Sequence, residues 1–252
     1  MIHVQEKCSK ELSLQLAEKT KNTTFNVLKL LATHLSPNTV PLFTSNDKVN
    51  CAYDFYCYGK NNESMDSVTK FRFPYFQFDS KAFWDIITNK GEEPNLIDIA
   101  FQFVELLLTP HFKNERVVDR LERSLMWYGD SVTDQINYQQ IQKLVSSLEA
   151  LVNFRDDNVT EVFKRRVANL NITYSGVDFD IENKAKQLYD ARSKIVHGSS
   201  LDVKLEFCLI KFCSETILRA IYYFSIFGFG KTNFNITLPT FLDDIPKNAI
   251  LE

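Results

Sequence analysis

The chain has 252 residues, enough for one large domain or two modest ones, and its 44% hydrophobic and 24% charged content gives it an ordinary folded core. A formal net charge of −3 excludes a protein that coats long nucleic acid without specificity, because that task needs a strong basic excess. A local site that neutralises a few phosphates remains open, since it needs only a few positive groups.

Residues 9–35 have helical spacing, with Leu12, Leu16, Phe25, Leu28, Leu31 and Leu35 recurring on it. The run Asn22-Thr23-Thr24 predicts a break or cap in the middle, and Ser36-Pro37-Asn38 an end. Residues 51–58 and 70–78 carry strand-like aromatic content. A small strand pair packed on helices is preferred there over irregular aromatic loops. Residues 80–89 predict a helix with Phe83, Trp84 and Ile87 inward, and 96–108 a second one ended by Pro110.

From residue 111 the pattern is a succession of amphipathic helices: 114–129, 133–154, 158–170, 180–197 and 202–227. Gly198 suits the position just past a helix end, and Gly228 and Gly230 stop the last helix. The tail carries aliphatic and aromatic patches around Phe234, Leu238 and Phe241 that predict a segment lying on the bundle surface. The fold class expected is mainly α: a C-terminal helical bundle over 111–230, after a smaller helical or α+β region over 1–110 and before a tail over 231–252. Leu251-Glu252 reads as an expression-vector scar and is left out of the fold.

No stretch has the roughly 18 apolar residues of a bilayer span; the nearest approach, at 217–229, is interrupted by Arg219. No membrane partner is expected. The opening MIHVQEKCSKELS lacks a basic region followed by an apolar run, so no signal peptide is read. The 5 cysteines are odd in number and show no paired pattern, which points to free thiols in a reducing, cytoplasmic setting. Cys208 and Cys213 have no His or Cys at ligand spacing, so no zinc or other metal site is expected. Gly228-Phe229-Gly230-Lys231-Thr232 resembles the end of a phosphate loop, but position 225 is Ser and an aromatic helix precedes it, so no nucleotide cofactor is expected. The run Lys164-Arg165-Arg166 reads as a solvated face in preference to an RNA clamp.

The most informative segment is Leu188-Tyr189-Asp190-Ala191-Arg192-Ser193-Lys194-Ile195-Val196-His197-Gly198. A His in the last turn of a helix is favoured by the helix dipole whatever its function. Chemically, however, the pair suits a phosphodiester. His197 moves a proton near neutral pH. Arg192 holds a phosphate through two donors and stabilises the charge that builds in the transition state. Five helical residues turn about 500°, so the two side chains leave the helix about 140° apart. The site therefore needs a curled Arg192, a distorted helix end, or groups from elsewhere. Two such helix ends meeting across a two-fold axis would supply them.

With a second run, Ser147-Leu148-Glu149-Ala150-Leu151, this segment resembles the Apea-like branch of the HEPN superfamily. The mark is Arg192, the polar Ser193, three further residues and His197, with the Leu-Glu-Ala-Leu run on an earlier helix. Residues 120–128 and 163–166 also fit, and the resemblance covers about 111–228. It implies a HEPN-like all-helical domain, a homodimer whose motif helices face one another, and metal-independent ribonuclease activity in toxin–antitoxin, antiviral or RNA-processing systems. Carried over, Arg192 positions the scissile phosphate, and His197 transfers the proton as the ribose 2′-OH attacks and leaves a cyclic phosphate. Ser193 stands where many active members have Asn, Asp or His. Glu149 either braces Arg192 or His197 or makes a plain surface ion pair. RNA substrate and an antitoxin or regulator protein are the partners implied. Some relatives have no known cleavage activity, so a non-catalytic RNA- or protein-binding module, or a purely structural dimerisation domain, is the rival reading.

Overall fold

The computed structural model describes residues 8–37, 52–60, 64–72, 81, 83–85, 96–108, 115–134, 136–155, 158–172, 179–228 and 236–248, and these are mainly helical. Helix α1 spans Lys10–Leu35, with the Ser9 hydroxyl accepting from the Leu12 N–H at 3.2 Å. It runs through the expected break at Asn22-Thr23-Thr24. The hydroxyls of Thr20, Thr24 and Thr33 each donate to the carbonyl four residues back at 2.7 Å, so they do not compete for the backbone. Strands β1 (Ala52–Lys60) and β2 (Ser64–Arg72) form an antiparallel pair in register from Ala52↔Arg72 to Lys60↔Ser64. The second strand thus precedes the aromatic run at 70–78 and shares with it only Lys70, Phe71 and Arg72. Residues 73–80 and 86–95 lie outside the described part, and with them Ile87.

The later helices are α2 (Leu96–Leu106), α3 (Glu115–Ser131), α4 (Asn137–Val152), α5 (Val159–Leu170), α6 (Phe179–Val196), α7 (Leu209–Phe227) and α8 (Leu238–Asn248). Helix α3 packs along α4; α6 lies on α4 and α5, while α1 packs on α2, α3 and α7. One apolar core joins them through Leu30, Phe103, Leu121, Leu148, Phe163, Leu188, Ile221 and Leu242. Each such side chain removed from water contributes about 1.5–3 kcal/mol. Segments on both sides of residue 110 therefore share a core. Phe83 is buried but Trp84 is 47% exposed, contrary to the expected inward pair, because neighbours on a helix point about 100° apart.

Polar pairs fix the register of this core. The Ser147 hydroxyl donates to the Ser124 carbonyl at 2.8 Å where α3 and α4 cross, and the buried Thr33 and Tyr128 hydroxyls meet at 2.6 Å between α1 and α3. Arg219, which interrupts the apolar run of α7, donates to the Asn171 carbonyl at 2.9 Å just beyond the end of α5. This supplies positive charge where the α5 dipole is negative.

Two sequence expectations change here. Helix α7 begins at Leu209, not near 202. From Asp202 to Cys208 the chain is non-helical, with half-buried Val203, Leu205 and Phe207 alternating with exposed Asp202, Lys204, Glu206 and Cys208. That period of two belongs to extended chain lying on a core. The tail is also more than a surface patch: α8 buries Leu238, Phe241, Leu242 and Ile245, and the Thr237 hydroxyl accepts from the Thr240 N–H at 3.4 Å to cap it.

His34, in the last turn of α1, has a buried Nδ1 without a hydrogen-bond partner. Burial pushes its pKa down; Glu215 pulls it up, and Lys211 and Arg219 push it further down. A base with a lowered folded pKa resists protonation that the unfolded chain accepts. Stability is therefore complete above the unfolded value of about 6.5 and declines as pH falls below it. Urea denaturation from pH 8 to pH 5 is expected to show this loss, and His34→Gln to flatten it. An equal slope in both proteins would refute the assignment.

Candidate functional site

Helix α6 turns Ala185, Leu188, Ala191 and Ile195 into the core. Its end is a Schellman turn: the Gly198 N–H donates to the Ile195 carbonyl at 3.2 Å and the Ser199 N–H to the Lys194 carbonyl at 2.8 Å. Gly198 has φ 72°, a conformation that a side chain would strain, which gives this glycine its place in the sequence. His197 is the residue before it. It is exposed, and its backbone N–H donates to the Ser193 carbonyl at 3.0 Å. Ser193 itself is half-buried.

Arg192 faces α4. Its Nη2 lies 4.0 Å from Glu149 Oε2, with the side chains 32% and 19% exposed. Burial pushes the Glu149 carboxyl above the usual carboxylate range, and the charge of Arg192 offsets this only in part. The fold therefore brings Glu149 and Arg192 together, while His197 lies further along α6 on another bearing. The hydrogen bond between His197 and Ser193 runs through the backbone.

The run from Ser147 to Leu151 has a packing reason for most of its order. Ser147 sits at the α3–α4 crossing, Leu148 and Leu151 fill the core, and Glu149 faces Arg192. Just beyond it, two arginines satisfy the end of α4. Arg120 Nη1 donates to the carbonyls of Ala150 and Asn153, each at 2.8 Å, with its guanidinium 3.6 Å from the centre of the Phe154 ring. Arg166 Nη1 donates to the Val152 carbonyl at 2.7 Å.

Arg166 corrects the reading of the basic run at 164–166. It is buried, not solvated, and bonds Asp243 of α8 through Nε at 2.9 Å and Nη2 at 3.1 Å. Arg165 reaches the same carboxylate at 2.9 Å, and Lys164 bonds Glu161 at 3.0 Å. Sequence reasoning missed this because Asp243 is 77 residues away from Arg166. The only signal was an arginine on a face whose neighbours, Val162, Phe163 and Val167, are apolar.

Among the described residues, no three His, Cys, Asp or Glu side chains converge as metal ligands, and no helix is long and apolar enough to cross a membrane. An open hollow between α5 and α6 is lined by Glu161, Lys164, Glu182, Asn183 and Lys186, and its mixed charges favour neither sign of ion. No family model, curated protein or solved structure matches the chain.

Proposed function

We propose that the chain is a metal-independent endoribonuclease of the HEPN type, acting as a homodimer whose site forms where the two α6 ends meet. The observation that carries this reading is the end of α6. There a glycine turn presents an exposed His197, and Arg192 lies five residues earlier beside the half-buried Glu149. Arg192 holds the scissile phosphate, and His197 takes or gives the proton as the 2′-OH attacks and a cyclic phosphate forms. Glu149 orients Arg192. Ser193 lies at the polar position between them, where a hydroxyl can donate to a phosphate oxygen. The divergence expected of Arg192 and His197 on one helix supports the second copy, which can supply the group that the first turns away. Exposed Val196 and Leu201 flank His197 and give a facing copy apolar surface to cover. A role as the RNA-cleaving effector of a toxin or antiphage system, held in check by a partner protein, belongs to the same reading.

The test is incubation of purified protein with mixed RNA in chelator, beside His197→Ala. Products ending in 2′,3′-cyclic phosphate are expected from the wild type alone. Equal products from both, or none from either, would refute cleavage at this site. A non-catalytic module for RNA or protein is the second reading. It is favoured by the engagement of Arg192 with Glu149, and it predicts equal binding by both proteins and no products.

A further inference from the structure

Arg192 faces a carboxylate where it would receive a phosphate. Its nearest partner is the Glu149 carboxylate at 4.0 Å, beyond hydrogen-bond distance but well inside the range of strong charge attraction. Both groups are more than half covered by protein, and burial disfavours the charged form of Glu149. The other charged groups near this end of α4 are committed elsewhere. Arg120 of α3 holds the carbonyls of Ala150 and Asn153, and Arg166 of α5 holds that of Val152 and Asp243. On α7, Lys211, Glu215 and Arg219 exert their charge on His34. Arg192 is the charge that favours the ionised form of Glu149, against the burial that raises its pKa.

Resting on the reading of Arg192 as the phosphate-holding group, we propose that Glu149 is a proton-coupled competitor for Arg192, so that binding a phosphodiester there draws up to one proton onto Glu149. A phosphate oxygen that takes the guanidinium leaves the half-buried carboxylate beside a second anion and without its counter-charge. Both changes disfavour the ionised form. The carboxyl, already raised by burial, rises further in the complex. The bound state then holds more protons than the free state, and linkage requires binding to tighten as pH falls. Glu149 thus acts as a positioning residue in the empty site and as a gate against anions at higher pH. No bond to carbon or phosphorus changes; the proton comes from solvent.

The experiment uses the full chain carrying His197→Ala, which removes the imidazole and, on the proposed mechanism, leaves RNA uncut. Affinity for a short single-stranded RNA is measured from pH 8 to pH 6. Proton uptake is read by calorimetry in two buffers of different ionisation enthalpy. The expected result is binding that tightens several-fold per pH unit over part of that range, with a fraction of a proton taken up. In Glu149→Gln on the same background, binding is tighter at pH 8, its pH slope is smaller and the uptake is lost. In Arg192→Ala both the tight binding and the uptake disappear. Equal slopes with and without Glu149, no uptake, or no binding at all would overturn the proposal. Cleavage by the wild type is scored separately, so an uncut RNA that still binds with proton uptake would refute the nuclease reading alone.

Discussion

Asp243→Ala is expected to destabilise the chain by about 3 kcal/mol, a loss readable as a lowered urea midpoint at unchanged slope. The reason is Arg166, which is only 2% exposed. Its guanidinium donates to the Val152 carbonyl and to both oxygens of Asp243. Removing the carboxylate takes two charge-assisted hydrogen bonds from a buried cation, which costs more than the pair itself contributes. The double variant Arg166→Met with Asp243→Leu is expected to recover most of the loss, since a packed apolar pair carries no such cost. A loss below about 0.5 kcal/mol in the single variant would mean the tether is a surface ion pair.

The same carboxylate gives the pair a pH signature. Burial pushes the Asp243 pKa up, but hydrogen bonds and charge from Arg166 and Arg165 more than offset it, leaving the group below its ordinary value. A lowered acid contributes its stability above the unfolded pKa, about 4, and loses it as pH falls through the lower folded value. Acid unfolding in that window is expected to weaken in Asp243→Asn.

His197→Ala is expected to lower the rate of RNA cleavage by about 10²–10⁴-fold, the range for removal of a proton-transfer group. Arg192→Ala is expected to lower it by a comparable factor, because the donors aimed at the developing charge are lost. The composite site adds a sharper outcome. When the two inactive variants are mixed and allowed to exchange subunits, half of the dimers pair one of each. If each site takes Arg192 from one copy and His197 from the other, every mixed dimer has one intact site, and about a quarter of wild-type activity returns. If both groups act within one chain, mixing restores nothing. Light scattering on each variant shows whether a dimer is present to exchange.

Much of the local structure was legible. The apolar stripes of α4 and α5 placed those helices within a few residues, and Gly198 marked the end of α6 because the turn there needs a positive φ. The segment from Asp202 to Cys208 was also legible in principle. Its alternation was absorbed into the longer helical pattern that follows, where Leu205 and Leu209 mimic helical spacing. The candidate residues Arg192, Ser193 and His197 could be chosen from sequence because they lie on one helix end, and Glu149 because its run has its own order.

What sequence fixed alone were properties of short range: helical stripes, the glycine stop, and the residue types able to move a proton and hold a phosphate. Tertiary structure decided which charges meet. It put Arg166 inside and Arg192 beside Glu149, and it made the tail a core helix tethered through Asp243. Whether a charged side chain is solvated or buried depends on what packs over it. For Arg166 that partner lies 77 residues along the chain, beyond the reach of any local pattern.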